Sequence, residues 1–235
     1  MVEEKWATRR LRELGLLRDD GTLILRVGLL ISCPAFYLAE TPITNQVYYG
    51  SETHRFVQRI LAEYGFIPEY EIRYNYARDI VILGHPDAVN TEKRIVFEVK
   101  NTRLKHPVEK YKLQLAIYKY MLERETGKPW GAYFLFIREP VSELTSQKIE
   151  KELRLLVEAL VSDNTWLLPP TRVVKLHHLP RLNLDIELYI ADKVSYLTQY
   201  LRKGIAPRIP GEHCEKLDCP LKEKCREYLE WKMNQ

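Results

Sequence analysis

Three residues near the middle of the chain combine the groups that phosphate chemistry uses: Asp87 in His85-Pro86-Asp87, and Glu98 and Lys100 in Glu98-Val99-Lys100. In an extended strand, side chains two apart share a face, so Glu98 and Lys100 project together while Val99 turns away. Asp87 follows a strand-forming run, where an antiparallel neighbour would bring it alongside Glu98. Two carboxylates and an amine on one sheet face make a hard-oxygen site for Mg2+ or Mn2+, flanked by a general acid/base or charge-stabilising ammonium. Hydrolysis of a phosphodiester needs those parts. The cation lowers the pKa of a bound water, and the ammonium orients that water or stabilises the pentavalent transition state. Taken singly, a turn aspartate or a Glu-x-Lys pair is an ordinary surface feature, so the neighbouring residues decide the reading.

His54, four residues after Gly50, sits early in a helical stretch ahead of the strands. It is a suitable third ligand and would favour Mn2+ or another transition metal. Gln114 and Tyr118 are four apart and share one helix face, presenting an amide and a phenol that could bond phosphates or stack on a base. Between Asn101 and Trp130 there are seven Lys and Arg against three Asp and Glu, an excess equal to the +4 of the whole chain. Such a segment suits a phosphate backbone, and equally a solvated helix face.

The four cysteines are Cys33, Cys214, Cys219 and Cys225. In a reducing compartment the C-terminal three point to a metal or an iron–sulfur cluster before disulfides. Three thiolates need a fourth ligand, and Cys33 is the remaining cysteine. Four thiolates suit an iron–sulfur cluster or a structural Zn2+. His213 keeps a mixed zinc site open, and disulfides are the third alternative.

The elements that must hold these groups follow from periodicity. Phe56, Val57, Ile60, Leu61 and Tyr64 recur at helical spacing over Glu52 to Tyr64, and Gly65 supplies the stop. Tyr70 to Tyr76 alternates as a half-buried strand, and Ile80 to Leu83 and Ile95 to Val99 read as buried strands. A helix follows from Pro107, with the stripe Val108, Tyr111, Leu115, Tyr118 and Leu122 ending at Gly127, and then a strand over Trp130 to Ile137. Ser146 to Ser162 and Asp185 to Arg202 read as amphipathic helices. They are joined by a Pro-containing linker in which His177-His178 is expected to be exposed.

The fold class expected is α/β (α+β), a mixed central sheet flanked by helices with a small C-terminal lobe. At 235 residues, 46% hydrophobic and 29% charged, the composition is globular. The longest apolar stretch, Leu23 to Ile31, is interrupted by Arg26 and is too short for a bilayer helix. MVEEKWATRR lacks the apolar core of a secretory signal. A cytoplasmic protein with no membrane partner is therefore expected.

The ordered set Gly50-x-x-x-His54, Gly84-His85-Pro86-Asp87, Glu98-Val99-Lys100 and Gln114-x-x-x-Tyr118 resembles the RecB-type branch of the PD-(D/E)xK nuclease superfamily. The predicted order of helix, three strands, helix and strand is similar to that superfamily's restriction-endonuclease-like core. The resemblance implies that His54, Asp87 and Glu98 are metal ligands with the Val99 carbonyl a fourth. It makes Asp87, Glu98 and Lys100 the catalytic set, and it gives Gln114 and Tyr118 the task of positioning DNA. One upstream and three C-terminal cysteines resemble the iron–sulfur members, although the first tail spacing is four residues where that group commonly shows two. This leaves the cluster open between [4Fe–4S] and [2Fe–2S].

A short chain without a Walker-type loop resembles the CRISPR-associated exonuclease family, the fourth of the Cas proteins. That implies a metal-dependent single-stranded DNA exonuclease trimming captured DNA before integration, with integrase subunits as partners. It divides the chain into an N-terminal segment (1–48), a nuclease core with supporting helices (49–203) and a cysteine lobe (204–235). The alternatives are an iron–sulfur DNA-binding adaptor with an idle or secondary nuclease site, and a zinc-stabilised restriction-type endonuclease.

Overall fold

The computed structural model describes residues 5–39, 45–162 and 170–209 together with Cys214, Cys219 and Cys225; within 45–51 it describes the backbone. His213 and most of the expected cysteine lobe lie outside the described residues. The chain forms two compact units, one drawn from 1–42, 73–83 and 184–235 and the other from 43–72 and 84–183.

The first unit contains helices α1 (Trp6–Glu13), α2 (Val27–Ile31), α3 (Pro34–Leu38) and α7 (Ile186–Leu201). Its sheet has the order β1-β4-β3, from β1 (Leu23–Arg26), β3 (Ile72–Ala77) and β4 (Ile80–Gly84). β1 runs parallel to β4, with Leu23 opposite Ile80 and Arg26 opposite Leu83. Here the structure departs from the sequence reading, which put Tyr70–Tyr76 and Ile80–Leu83 in the sheet bearing Glu98. β4 is a central strand of a separate sheet, and its unbroken apolar run reflects neighbours on both sides and burial on both faces.

The second unit is a five-stranded sheet in the order β2-β5-β6-β7-β8. Its strands are β2 (Ile67–Pro68), β5 (Ala88–Asn90), β6 (Ile95–Asn101), β7 (Gly131–Ile137) and β8 (Val174–His178), with helices α4 (Asn45–Ala62), α5 (Glu109–Thr126) and α6 (Ser146–Val161). β6 and β7 are parallel, and α5 is the crossover that a parallel pair requires. β5 and β8 run antiparallel to their neighbours.

Alternation along β6 divides the sheet into two faces. Ile95, Phe97 and Val99 join Leu135 and Ile137 of β7 in one core, closed by Val57, Ile60 and Leu61 of α4 and by Leu153, Leu156 and Leu160 of α6. α5 packs on β6 and β7 and buries Leu115, Ile117, Tyr118 and Met121. It ends at Gly127, whose φ of 64° supplies the left-handed cap.

The mixed α/β architecture is as expected. α4 begins seven residues earlier than Glu52. His177-His178 lies in a strand and not in a linker: the apolar run Val173, Val174 and Leu176 carries both histidines into β8, where His177 pairs with Phe134 and is half-buried, while His178 is exposed as expected. Among the described residues, no helix is long and apolar enough to cross a membrane.

Candidate active site

β5 decides where Asp87 goes. Ala88 pairs with Phe97 in antiparallel register, so Asp87, one residue ahead, comes level with Glu98. The strand that performs this alignment is β5, which follows Asp87, not the run Ile80–Leu83 before it. Asp87 Oδ2 accepts a hydrogen bond from the Val99 N–H at 2.6 Å, and Oδ1 lies 2.9 Å from His54 Nδ1. Gln58 fixes the other side of the turn, donating through Nε2 to the Asp87 carbonyl at 2.9 Å and to the Glu69 carboxylate at 2.8 Å. His54 and Gln58 are one helical turn apart on α4, so one face of that helix holds both ends of Asp87.

On β6, Glu98 and Lys100 share a face as expected. Lys100 Nζ donates to Glu98 Oε1, and the ammonium lies 4.9 Å from the centre of the Tyr111 ring. Glu98 is 2% exposed, and its Oε2 is buried without a hydrogen-bond partner. Burial, together with the adjacent Asp87 charge, pushes the Glu98 carboxyl up to about 7 against the opposing pull of Lys100. Burial would lower the Lys100 amine, but the Glu98 and Asp87 charges more than offset it and hold its pKa above the ordinary lysine value. Burial likewise opposes protonation of His54, and its hydrogen bond to Asp87 reverses the sign, leaving the imidazole raised.

Gln114 and Tyr118 meet on α5, where Gln114 Nε2 donates to the Tyr118 hydroxyl at 3.1 Å. That hydroxyl donates to the His85 carbonyl at 3.3 Å. The Tyr118 ring is 4% exposed, so it braces the His85-Pro86-Asp87 turn from inside and is not an open stacking surface.

His54, Asp87, Glu98 and Lys100, spread over 47 positions of the sequence, thus form one cluster. Among the described residues, no three His, Cys, Asp or Glu side chains stand as a ready-made metal cage. The reason is visible in the bonds: His54 and the Val99 amide hold Asp87, and Lys100 holds Glu98. The oxygen left over, Glu98 Oε2, is costly to bury unpaired. Two carboxylates and an imidazole around such an oxygen fit a hard divalent cation.

The sequence matches the PD-(D/E)XK nuclease superfamily over residues 5–226. The chain belongs to that superfamily. Membership implies a metal-dependent phosphodiesterase that acts on DNA with a divalent cation such as Mg2+ or Mn2+. The fold is similar to that in the crystal structure of SSO0001, with a TM-score of 0.52 at 17% identity over 94% of this chain and 95% of that one. No curated protein matches the sequence.

Three residues of this cluster escaped the sequence reading. Gln58 lies four positions after His54, a spacing that could have identified it. Tyr111 was assigned to an apolar stripe, yet its ring faces the Lys100 ammonium. Thr53, 1% exposed, accepts from Asn101 Nδ2 at 3.1 Å and ties α4 to the end of β6.

The four cysteines of the nuclease are all buried, and none is in a disulfide. Cys33 precedes α3, and its Sγ accepts from the Ile209 N–H at 3.3 Å. Cys214 and Cys225 pack against each other. The four sulfurs do not stand as a formed cluster site among the described residues.

Proposed function

We propose that this superfamily member is a single-stranded DNA exonuclease that trims ends or overhangs, acting in CRISPR adaptation before integrase subunits insert the DNA. The observation that carries the reading is the convergence of His54, Asp87, Glu98 and Lys100 on one partly buried point. His54, Asp87 and Glu98, with the Val99 carbonyl, would hold Mn2+ or Mg2+. When bound, the cation acidifies a water and neutralises charge growing on the phosphoryl oxygens.

The protein's own groups do the rest. Lys100, charged at neutral pH, orients the attacking water and stabilises the pentavalent phosphorus. Glu98 Oε1 and the Tyr111 ring fix the ammonium, which lowers the cost of aligning it. His54 and the Val99 amide keep Asp87 in one rotamer. Gln114 and Tyr118 hold the turn before Asp87, and Gln114 offers its amide to a backbone phosphate.

We propose further that Cys33, Cys214, Cys219 and Cys225 bind a [4Fe–4S] or [2Fe–2S] cluster. Support comes from the burial of all four cysteines, the packing of Cys214 on Cys225, and the Ile209 amide aimed at the Cys33 sulfur. Visible charge-transfer bands with matching iron and sulfide counts on anaerobically purified protein are the expected result. Colourless protein with bound zinc would replace the cluster by a structural metal.

The nuclease reading is tested with labelled single-stranded DNA and Mn2+, with Asp87→Ala and Lys100→Ala beside wild type. Degradation by wild type alone is expected. Degradation that survives both substitutions removes the site, and DNA binding without degradation by wild type supports the adaptor.

A further inference from the structure

The sheet face that carries Glu98 and Lys100 continues across two more strands. Lys100 pairs with Phe136, and Phe136 with Lys175; Glu98 pairs with Phe134, and Phe134 with His177. Paired positions on neighbouring strands share a face. Lys175 and His177 therefore emerge on the Lys100 side, about two interstrand spacings, or roughly 10 Å, away. Arg138 follows β7 two residues after Phe136 and acts on His177. His106, in the loop between β6 and α5, brings its ring centre 6.2 Å from that of His177, and the Phe136 ring flanks His177 at 5.0 Å.

Two features set this cluster apart. The charges acting on His177 come from His106, Arg138 and Lys175, all cations or groups that can become one. In addition, Arg138 Nε and His177 Nε2 are both buried without a hydrogen-bond partner. Leaving such atoms unpaired is costly, and crowding like charges adds to it. A metal ion would worsen the repulsion, and a guanidinium cannot ligate one. An anion with several acceptor oxygens removes both costs at once.

We propose that His106, Arg138, Lys175 and His177 form a phosphate site that takes a backbone phosphate of the DNA strand, a short fixed distance from the bond being cut. The inference rests on the nuclease reading and deepens it. Asp87 and Glu98 repel a polyanion, so a strand held at them needs cationic contacts beside them. This cluster supplies such contacts on the same surface, and it gives the strand a direction across the sheet.

The test uses the full chain in two arms. In the first, inorganic phosphate is titrated at constant ionic strength against chloride while the histidine ring signals are followed by NMR. Saturable shifts of His106 and His177 are expected in wild type and absent in Arg138→Gln. In the second, labelled single-stranded DNA is bound in Ca2+ at several salt concentrations. Arg138→Gln is expected to weaken binding roughly 5- to 20-fold and to reduce the salt slope by about one phosphate contact. If Arg138→Gln melts early, Lys175→Gln carries both arms.

Wild-type rings that ignore phosphate overturn the proposal. So does DNA binding whose affinity and salt slope are unchanged in a folded variant, and that result leaves the nuclease reading intact. Wild type that binds phosphate at His177 but no DNA overturns the nuclease reading and, with it, the assignment of this anion site to a DNA strand.

Discussion

Glu98 and Glu152 belong to the same folded unit, on opposite sides of one sheet, and their carboxyls shift in opposite directions. Glu152 lies on α6, over the apolar face. Its Oε2 accepts from three successive backbone amides, Arg172, Val173 and Val174, at 2.8–3.0 Å. Burial would raise its pKa, but those three donors more than offset it and hold it below the ordinary glutamate value. Glu98, on the other face, has Lys100 for one oxygen and nothing for the second. Glu152, which builds the fold, gathers three donors on one oxygen, whereas Glu98, proposed to do chemistry, keeps a buried oxygen unpaired.

The sharpest way to break this contrast is to remove each kind of group in turn. Glu98→Gln keeps the shape and loses the charge, so nuclease activity should fall by about a thousand-fold or more, roughly 4 kcal/mol of transition-state stabilisation, in a degradation assay. Its Tm should stay within a few degrees of wild type, because the lost charge was poorly solvated and crowded against Asp87. Phe97→Ala, one residue away on the apolar face, should do the reverse. Phe97 is fully buried among α4 and α6 residues, and the cavity should cost about 3–5 kcal/mol, a fall of roughly 10 °C in a thermal melt. If Glu98→Gln unfolds the protein as readily as Phe97→Ala, the division between the two faces is lost.

The two faces were also unequally legible in the sequence. The alternation Ile95, Phe97, Val99 against Glu98, Lys100 needs only local period-two geometry, so both faces of β6 could be read directly. The ladder that aligns Asp87 was missed because β5 is three residues long, too short to show a period. The destination of Ile80–Leu83 was missed for a different reason. A buried strand shows that it has neighbours but not which ones, and β1, nearly sixty positions earlier, is its partner. The strand carrying His177-His178 was missed because prolines on either side suggested a linker, while the pairing of β8 with β7 is a long-range contact.

Glu152 tests the structural side of the contrast through pH. Its folded-state pKa is depressed, so its contribution is present above the unfolded-state value near 4.3 and disappears as pH falls through the folded-state value. Glu152→Gln should therefore lower stability by about 1–3 kcal/mol at pH 7, and the gap to wild type should close as melts are run below about pH 4. A gap independent of pH would mean that the three amides need an oxygen but not a charge.

Gln58 sits between the two classes and carries the smallest expected effect. It is 7% exposed, and its amide ties the Asp87 carbonyl to the Glu69 carboxylate. It touches no reacting atom and acts only by holding the turn that presents Asp87 to Glu98. Gln58→Leu preserves volume and leaves the Asp87 carbonyl one donor short, at a cost of about 1–2 kcal/mol. If the turn then moves, degradation should slow about ten-fold and Mn2+ should be needed at higher concentration, with KM for DNA little changed. The split is informative because a loss of stability alone would lower the amount of active enzyme without shifting the metal dependence. A metal titration that superimposes on wild type would assign Gln58 to the fold and not to the site.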